Sequence, residues 1–197
     1  MGEVTLLLPS EISAVILAGG QGRRVGYQQK ALLPYKNQPV IKTVLDKLIP
    51  QVNDIWISVN GDLSAYVPYT EKLFTDNYSG FLGPLAGMHA AWQHVTHEWV
   101  LFVPCDNPNL PSNFVEQMLK VHSQSPAPLV VANDGSRMQP LYLLMHRTMS
   151  SSLEKAIEKN HLSVHRWVKE NEFIEADFSK ANANIFENMN TLQYYDN

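Results

Sequence analysis

A three-layer, Rossmann-like α/β fold with a mainly parallel sheet and helices on both faces is the architecture this sequence predicts. Three observations carry the prediction. Short, continuous apolar runs that stop at glycine or proline recur along the chain, as strands buried on both faces do. Between them fall segments whose apolar residues repeat at helical spacing. The alternation starts at once, with a strand, a glycine-rich loop and a helix in succession, and such alternation places functional loops at the C-terminal ends of the strands.

The elements follow in order. Ser13 to Ala18 is an apolar run ending in Gly19-Gly20 and reads as the first buried strand. Val40, Ile41, Val44, Leu45, Leu48 and Ile49 repeat with helical period, with Pro39 at the entry and Pro50 at the exit. Ile55 to Val59 reads as a strand and Lys72 to Thr75 as a short one. Pro84 to Val95 reads as a helix with Leu85, Met88, Trp92 and Val95 on one face. Trp99 to Val103 is a buried strand, followed by a helix with Phe114, Met118 and Val121 inward and Ser112 as its candidate cap. Leu129 to Ala132 and Leu141 to Met145 flank the turn Asn133-Asp134-Gly135, which suggests an antiparallel insertion. A helix from Ser150, a helical stretch near Leu162 to Val168, a strand at Phe173 to Phe178 and a last strand near Ala183 to Glu187 complete the reading.

With 197 residues, 45% hydrophobic and 17% charged, the chain can build one substantial core and is short for two. A single domain over residues 1–197 is expected. The net charge of -4 argues against a broad basic face for nucleic acid, so any phosphate binding should be local. Cys105 is the sole cysteine, which excludes an internal disulfide and fits a reducing cytoplasm. The apolar run Leu6-Leu7-Leu8 is broken at Pro9 and lacks a basic flank, so neither a secretory signal nor a membrane span is expected.

Four loops hold residues suited to chemistry. In the first, Gly19-Gly20-Gln21-Gly22-Arg23-Arg24-Val25-Gly26, glycines allow the backbone to approach phosphates closely. Arg24 and the following Lys30 can neutralise charge moving onto a leaving pyrophosphate. The spacing is neither a P-loop nor a dinucleotide fingerprint. In the second, Pro104-Cys105-Asp106-Asn107-Pro108, a carboxylate at a strand end can bind Mg2+ or cap the next helix, and its position favours the metal. Cys105 reads as structural. In the third, Asp76 precedes Gly83-Pro84-Leu85-Ala86-Gly87-Met88, where the glycines permit either close approach of a base or tight helix packing. In the fourth, Asn188 and Asn190 share one side of a strand by period two, or else terminate it as turn residues. The pairs His94/His97 and His161/His165 read as helix surface and receive no role.

The pattern Leu17-Ala18-Gly19-Gly20, Arg23-Arg24-Val25-Gly26 and Lys30 resembles the signature of the molybdenum cofactor guanylyltransferase family, nucleotidyltransferases of the glycosyltransferase-A-like, nucleotide-diphospho-sugar transferase fold. Gly-Pro-Leu-Ala-Gly-Met, Pro-Cys-Asp-x-Pro, Asp134-Gly135 with Arg137 and Gln139-Pro140, and Asn188-Met189-Asn190-Thr191 follow in family order. The resemblance implies a nucleotidyltransferase domain that joins GTP and molybdopterin cofactor into a guanine dinucleotide cofactor, releasing pyrophosphate. It implies a nucleotide site of Leu17, Ala18, Gly19, Gly20, Lys30, Asn60, Asp76 and Asp106, with Arg24, Lys30 and Asp106 catalytic and Mg2+ on Asp106. Asn188, Asn190 and Gln139 would face the acceptor, and proteins of the cofactor pathway would be partners.

Two segments depart from the family. Gly26-Tyr27-Gln28-Gln29-Lys30 stands where the family usually has Gly-Gly-x-Asp-Lys, and Gln139 replaces a commoner histidine. Gln29 can hydrogen-bond but carries no charge. Leu-Ala-Gly-Gly resembles the guanylyl rather than the cytidylyl enzymes. A cytidylyl- or sugar-phosphate nucleotidyltransferase is the nearest alternative. A non-catalytic nucleotide- or molybdopterin-binding protein is the alternative that Gln29 motivates.

Overall fold

The computed structural model describes residues 6–20, 29–76, 78–80, 82–181 and 184–187. In chain order its strands are β1 (Ile12–Leu17), β2 (Pro34–Tyr35), β3 (Gln38–Pro39), β4 (Asp54–Ser58), β5 (Leu73–Phe74), β6 (Trp99–Pro104), β7 (Leu129–Asn133), β8 (Met138–His146) and β9 (Ile174–Asp177). The helices are α1 (Val40–Leu48), α2 (Pro84–Ala91), α3 (Phe114–Gln124), α4 (Ser150–Glu158) and α5 (Val164–Lys169). A sheet of seven strands has the order β5-β4-β1-β6-β8-β7-β9. β1 pairs parallel with β4 and β6, β4 with β5, and β7 with β9, whereas β8 runs antiparallel to both its neighbours. The expected mainly parallel sheet with one antiparallel insertion is what forms.

Strand periodicity divides the core in two. Ile12, Ala14 and Ile16 of β1 pack with Val40, Ile41, Val44, Leu45 and Leu48 of α1 and with Phe114 and Met118 of α3. Val15, one residue out of phase, packs with Leu85 and Met88 of α2, Leu153 and Ile157 of α4 and Trp167 of α5. Helices therefore cover both faces, and every β1 residue from Ile12 to Ile16 is buried. Each fully buried aliphatic side chain contributes about 1.5–3 kcal/mol of transfer free energy, set against the entropy of ordering the chain.

Several boundaries differ from expectation for local reasons. α2 ends at Ala91, and tight turns carry the backbone on to Val95. His94 and His97 thus share no helix, and His94 stacks on Phe74 at 4.6 Å. His161 likewise precedes α5, so it shares no helix with His165. Asn113, not Ser112, occupies the residue before α3, and its side chain makes no cap bond. β8 starts at Met138 instead of Leu141, because the register jumps between Val131/Leu143 and Ala132/Gln139. Pro140 falls in that bulge, where a strand tolerates the missing N–H. The last expected strand, near Ala183 to Glu187, is not one where it is described: 184–186 form a turn in which Glu187 N–H donates to Asn184 O at 3.1 Å.

Candidate functional site

The parallel strands bring their C-terminal ends to one edge of the sheet. There β1 runs into Ala18, Gly19 and Gly20, β4 into Asn60, β5 into Asp76 and β6 into Asp106. Because β8 is reversed, its second residue, Gln139, lies at the same edge, paired with Ala132 near the end of β7. Backbone bonds extend the ladder past the strand ends: Ala18 N–H donates to Ser58 O at 2.8 Å, and Cys105 N–H to Leu17 O at 3.2 Å.

Lys30 opens a short 3-10 helix, Lys30–Leu32, pinned by the buried Ala31. Its Nζ lies 3.6 Å from Asp106 Oδ2, with the two side chains 21% and 13% exposed. Burial pushes the Asp106 carboxyl above the ordinary carboxylate range, and the Lys30 ammonium only partly opposes this. A carboxylate in this state is undercompensated and gains from a further positive charge beside it. No group of three His, Cys, Asp or Glu side chains that could hold a metal occurs among the described residues. A carboxylate of this kind suits a hard divalent cation held through one or two carboxylates together with phosphates and water. Burial, with Asp106 next, pushes the neighbouring Cys105 thiol up, so it stays a neutral packing residue as expected.

The glycines of the edge have separable roles. A Cβ on Gly19 would meet the Asn60 amide at 3.0 Å, so the two expected nucleotide contacts lie side by side with room only for a glycine. A Cβ on Gly20 would meet nothing within 4 Å. Gly87 settles the question left open for its loop: a Cβ there would lie 2.8 Å from Ser58 Oγ and 3.4 Å from Leu17 Cδ2. It serves tight packing of α2 on β1 and β4. Gly83, at φ 75 before the first residue of α2, adopts a conformation that favours glycine and faces open space.

Asp76 accepts a bond from Tyr78 N–H at 3.3 Å through Oδ1, while its buried Oδ2 has no partner among the described residues. Gln139 Nε2 donates to Asp134 Oδ2 at 2.6 Å and is held by the β7–β8 turn. Asp134 also accepts from the Ser136 hydroxyl and from the Ser136 and Arg137 backbone, which keeps its carboxyl well below the usual range. Gln29 precedes the Lys30 turn, and its amide nitrogen would lie 3.7 Å from a Cβ on Gly61. Its buried Oε1 has no partner among the described residues. Arg24, Asn188 and Asn190 lie outside the described residues, as do Tyr27 and Gln28.

Sequence reasoning gave no role to Asn107. It is 1% exposed, its Nδ2 donates to both the Tyr142 hydroxyl and Ile185 O, and its Oδ1 accepts from Asn109 N–H at 2.9 Å. The partners are far apart in the chain, so no spacing announced them. The only signal was a second polar residue after Asp106, between two prolines.

Comparison with known proteins places these features in context. The model of the MobA-like NTP transferase domain matches residues 14–174. The molybdenum cofactor guanylyltransferase of Shewanella putrefaciens is 39% identical, over 94% of this chain and 95% of its own. That of Aliivibrio fischeri is 37% identical, over 95% of both. Among solved structures, molybdopterin-guanine dinucleotide biosynthesis protein A from Archaeoglobus fulgidus superposes with a TM-score of 0.78 at 20% identity, covering 93% of this chain and 94% of that one. The last likeness shows the shared fold.

Proposed function

The chain belongs to the MobA-like NTP transferase domain family, among its molybdenum cofactor guanylyltransferases, and we propose that it transfers GMP from GTP to the terminal phosphate of molybdopterin. The products are molybdopterin guanine dinucleotide and pyrophosphate. The observation that carries this reading is the Lys30–Asp106 pair at the sheet edge, with Asp106 beyond β6, the neighbour of the strand that leads to Gly19 and Gly20.

An acceptor phosphate oxygen attacks the α-phosphorus of GTP in line as the bond to the β-phosphate oxygen breaks. No protein nucleophile is needed, so positioning and charge stabilisation supply the catalysis. The N–H groups of Gly19 and Gly20 and the Lys30 ammonium, joined by Arg24, receive the triphosphate and the charge that accumulates on pyrophosphate. Asp106 would hold Mg2+, which would supply positive charge against the phosphates. Leu17, Ala18 and Asn60 border the nucleoside, and the unpartnered Oδ2 of Asp76 suits a ribose or base donor. Gln139, Asn188 and Asn190 face the acceptor. Gln29, beside Gly61, replaces a charged contact with a neutral amide.

No helix among the described residues is long and apolar enough to cross a membrane, and buried Cys105 suits a reducing cytoplasm. The proteins that supply molybdopterin and take up the dinucleotide are the expected partners. Incubation with molybdopterin, Mg2+ and either GTP or CTP tests the reading. Pyrophosphate should appear preferentially with GTP; equal or greater release from CTP would refute the base assignment. GTP binding without any release would identify a carrier instead of an enzyme.

A further inference from the structure

Asn107 sits one residue beyond the carboxylate proposed to hold the metal, and its side chain is buried. Both amide donors and the acceptor oxygen are engaged: Nδ2 donates to the Tyr142 hydroxyl and Ile185 O, and Oδ1 accepts one bond, from Asn109 N–H. Asn109 in turn donates through Nδ2 to Asn184 O at 3.2 Å. Two successive elements of the 104–109 loop therefore grip the backbone of the same turn near the C-terminus. Tyr142 reaches this point because it lies in the register jump of β8, which diverts the chain between Leu143 and Gln139.

Side-chain packing also holds the turn. Its residues form no strand, and its apolar anchorage is an aromatic cluster in which Tyr142 meets Phe186 at 4.8 Å and Phe114 at 5.9 Å, with Phe178 stacked on Phe114 at 4.9 Å. Ring contacts fix depth but tolerate sliding, whereas a bond to a specific carbonyl fixes register. Asn184 and Ile185, with Pro108 and Asn109, also border a cleft of about 640 Å³ whose other side includes Lys36 and Lys47. Asn188 and Asn190 follow within a few residues along the chain.

We propose that Asn107, with Tyr142, is a positioning residue that clasps the C-terminal turn to the Asp106 loop and so sets the acceptor side of the site relative to the nucleotide side. This rests on the transfer reading above. Asp106 itself keeps its place in the variants, through Lys30 and through the backbone bond from Cys105 to Leu17. The clasp therefore governs acceptor binding more than GTP binding.

Asn107→Ser shortens the side chain and leaves one donor in place of two. Its KM for molybdopterin should rise about tenfold while its KM for GTP stays within about twofold of wild type. Tyr142→Phe removes a single hydroxyl, keeps the ring packing, and should shift the same constant about threefold, which preserves the test if the first variant folds poorly. Amide hydrogen exchange over 184–187, measured without substrates, should speed up in both variants. A parallel rise in both KM values, or unchanged exchange across this turn in a folded variant, overturns the clasp. Wild-type protein that releases no pyrophosphate from GTP would strike at the transfer reading instead, and exchange would still decide the clasp.

Discussion

At the scale of single residues, the site is organised by unequal charge compensation. Asp106 is largely buried, and Lys30 at 3.6 Å relieves only part of the cost of ionising it. That leaves a carboxylate able to attract a cation and a lysine close enough to reach phosphate, from side chains that neutralise each other incompletely. Asp106→Ala should abolish Mg2+-dependent pyrophosphate release while circular dichroism stays unchanged. Lys30→Ala should cut kcat by about a hundredfold or more, the loss typical of removing one group aimed at developing charge. Normal turnover in either variant removes that residue from the mechanism. Both residues were legible in the sequence because Lys30 follows the glycine-rich loop and Asp106 stands at the end of a buried apolar strand. Asn107 was not, since its role depends on residues at 142 and 185 that come together only in the folded chain.

At the scale of elements, the site is shaped by how α2 sits on the strand ends. Gly87 lets this helix press against Ser58 and Leu17, the final residues of β4 and β1. Gly87→Ala places a methyl 2.8 Å from a buried hydroxyl oxygen, so the helix or the strands must move. Overpacking of this kind costs about 1–3 kcal/mol, readable as a lower urea midpoint. Since Leu17 leads directly into Gly19 and Gly20, the KM for GTP should rise as well. An unshifted midpoint would mean that α2 is seated more loosely than its contacts indicate. The long apolar runs and helical stripes announced their elements because burial on both faces leaves a strong pattern. The β2–β3 hairpin did not, being two-residue strands around Lys36 and Asn37, both at positive φ, without the Asn-Gly signature. The segment at 184–187 misled because the apolar pair Ile185-Phe186 resembles a short buried strand, whereas both residues are buried without ladder pairing and Phe186 packs in the aromatic cluster.

At the scale of the whole molecule, the two edges of the sheet do different work. The C-terminal edge gathers the candidate chemistry, and the opposite edge ties together the beginnings of the same strands through Asp54. Ser13 Oγ donates to Asp54 Oδ2 at 2.5 Å and Lys72 Nζ to Oδ1 at 2.6 Å, while His97 Nδ1 lies 2.9 Å from Ser13 Oγ and 3.7 Å from Oδ2. Trp56 Nε1 adds a bond at 3.1 Å. These partners come from β1, β4 and the segments just before β5 and β6. Burial pushes the Asp54 carboxyl up, but the bonds from Lys72, Ser13 and Trp56 outweigh it and hold the group below the usual carboxylate range. A carboxyl depressed on folding means that the unfolded chain binds more protons, so this contribution to stability is full above the unfolded pKa and disappears as pH falls through the folded one. Wild-type protein should therefore lose unfolding free energy as pH drops below about 4. Asp54→Asn should start lower at neutral pH, by about 1 kcal/mol for a broken, partly solvent-screened charge network, and show a flatter acid limb. Urea unfolding of both proteins across that range checks the sign. Parallel acid limbs would show that other carboxylates govern acid unfolding and that the edge opposite the site is held by packing alone.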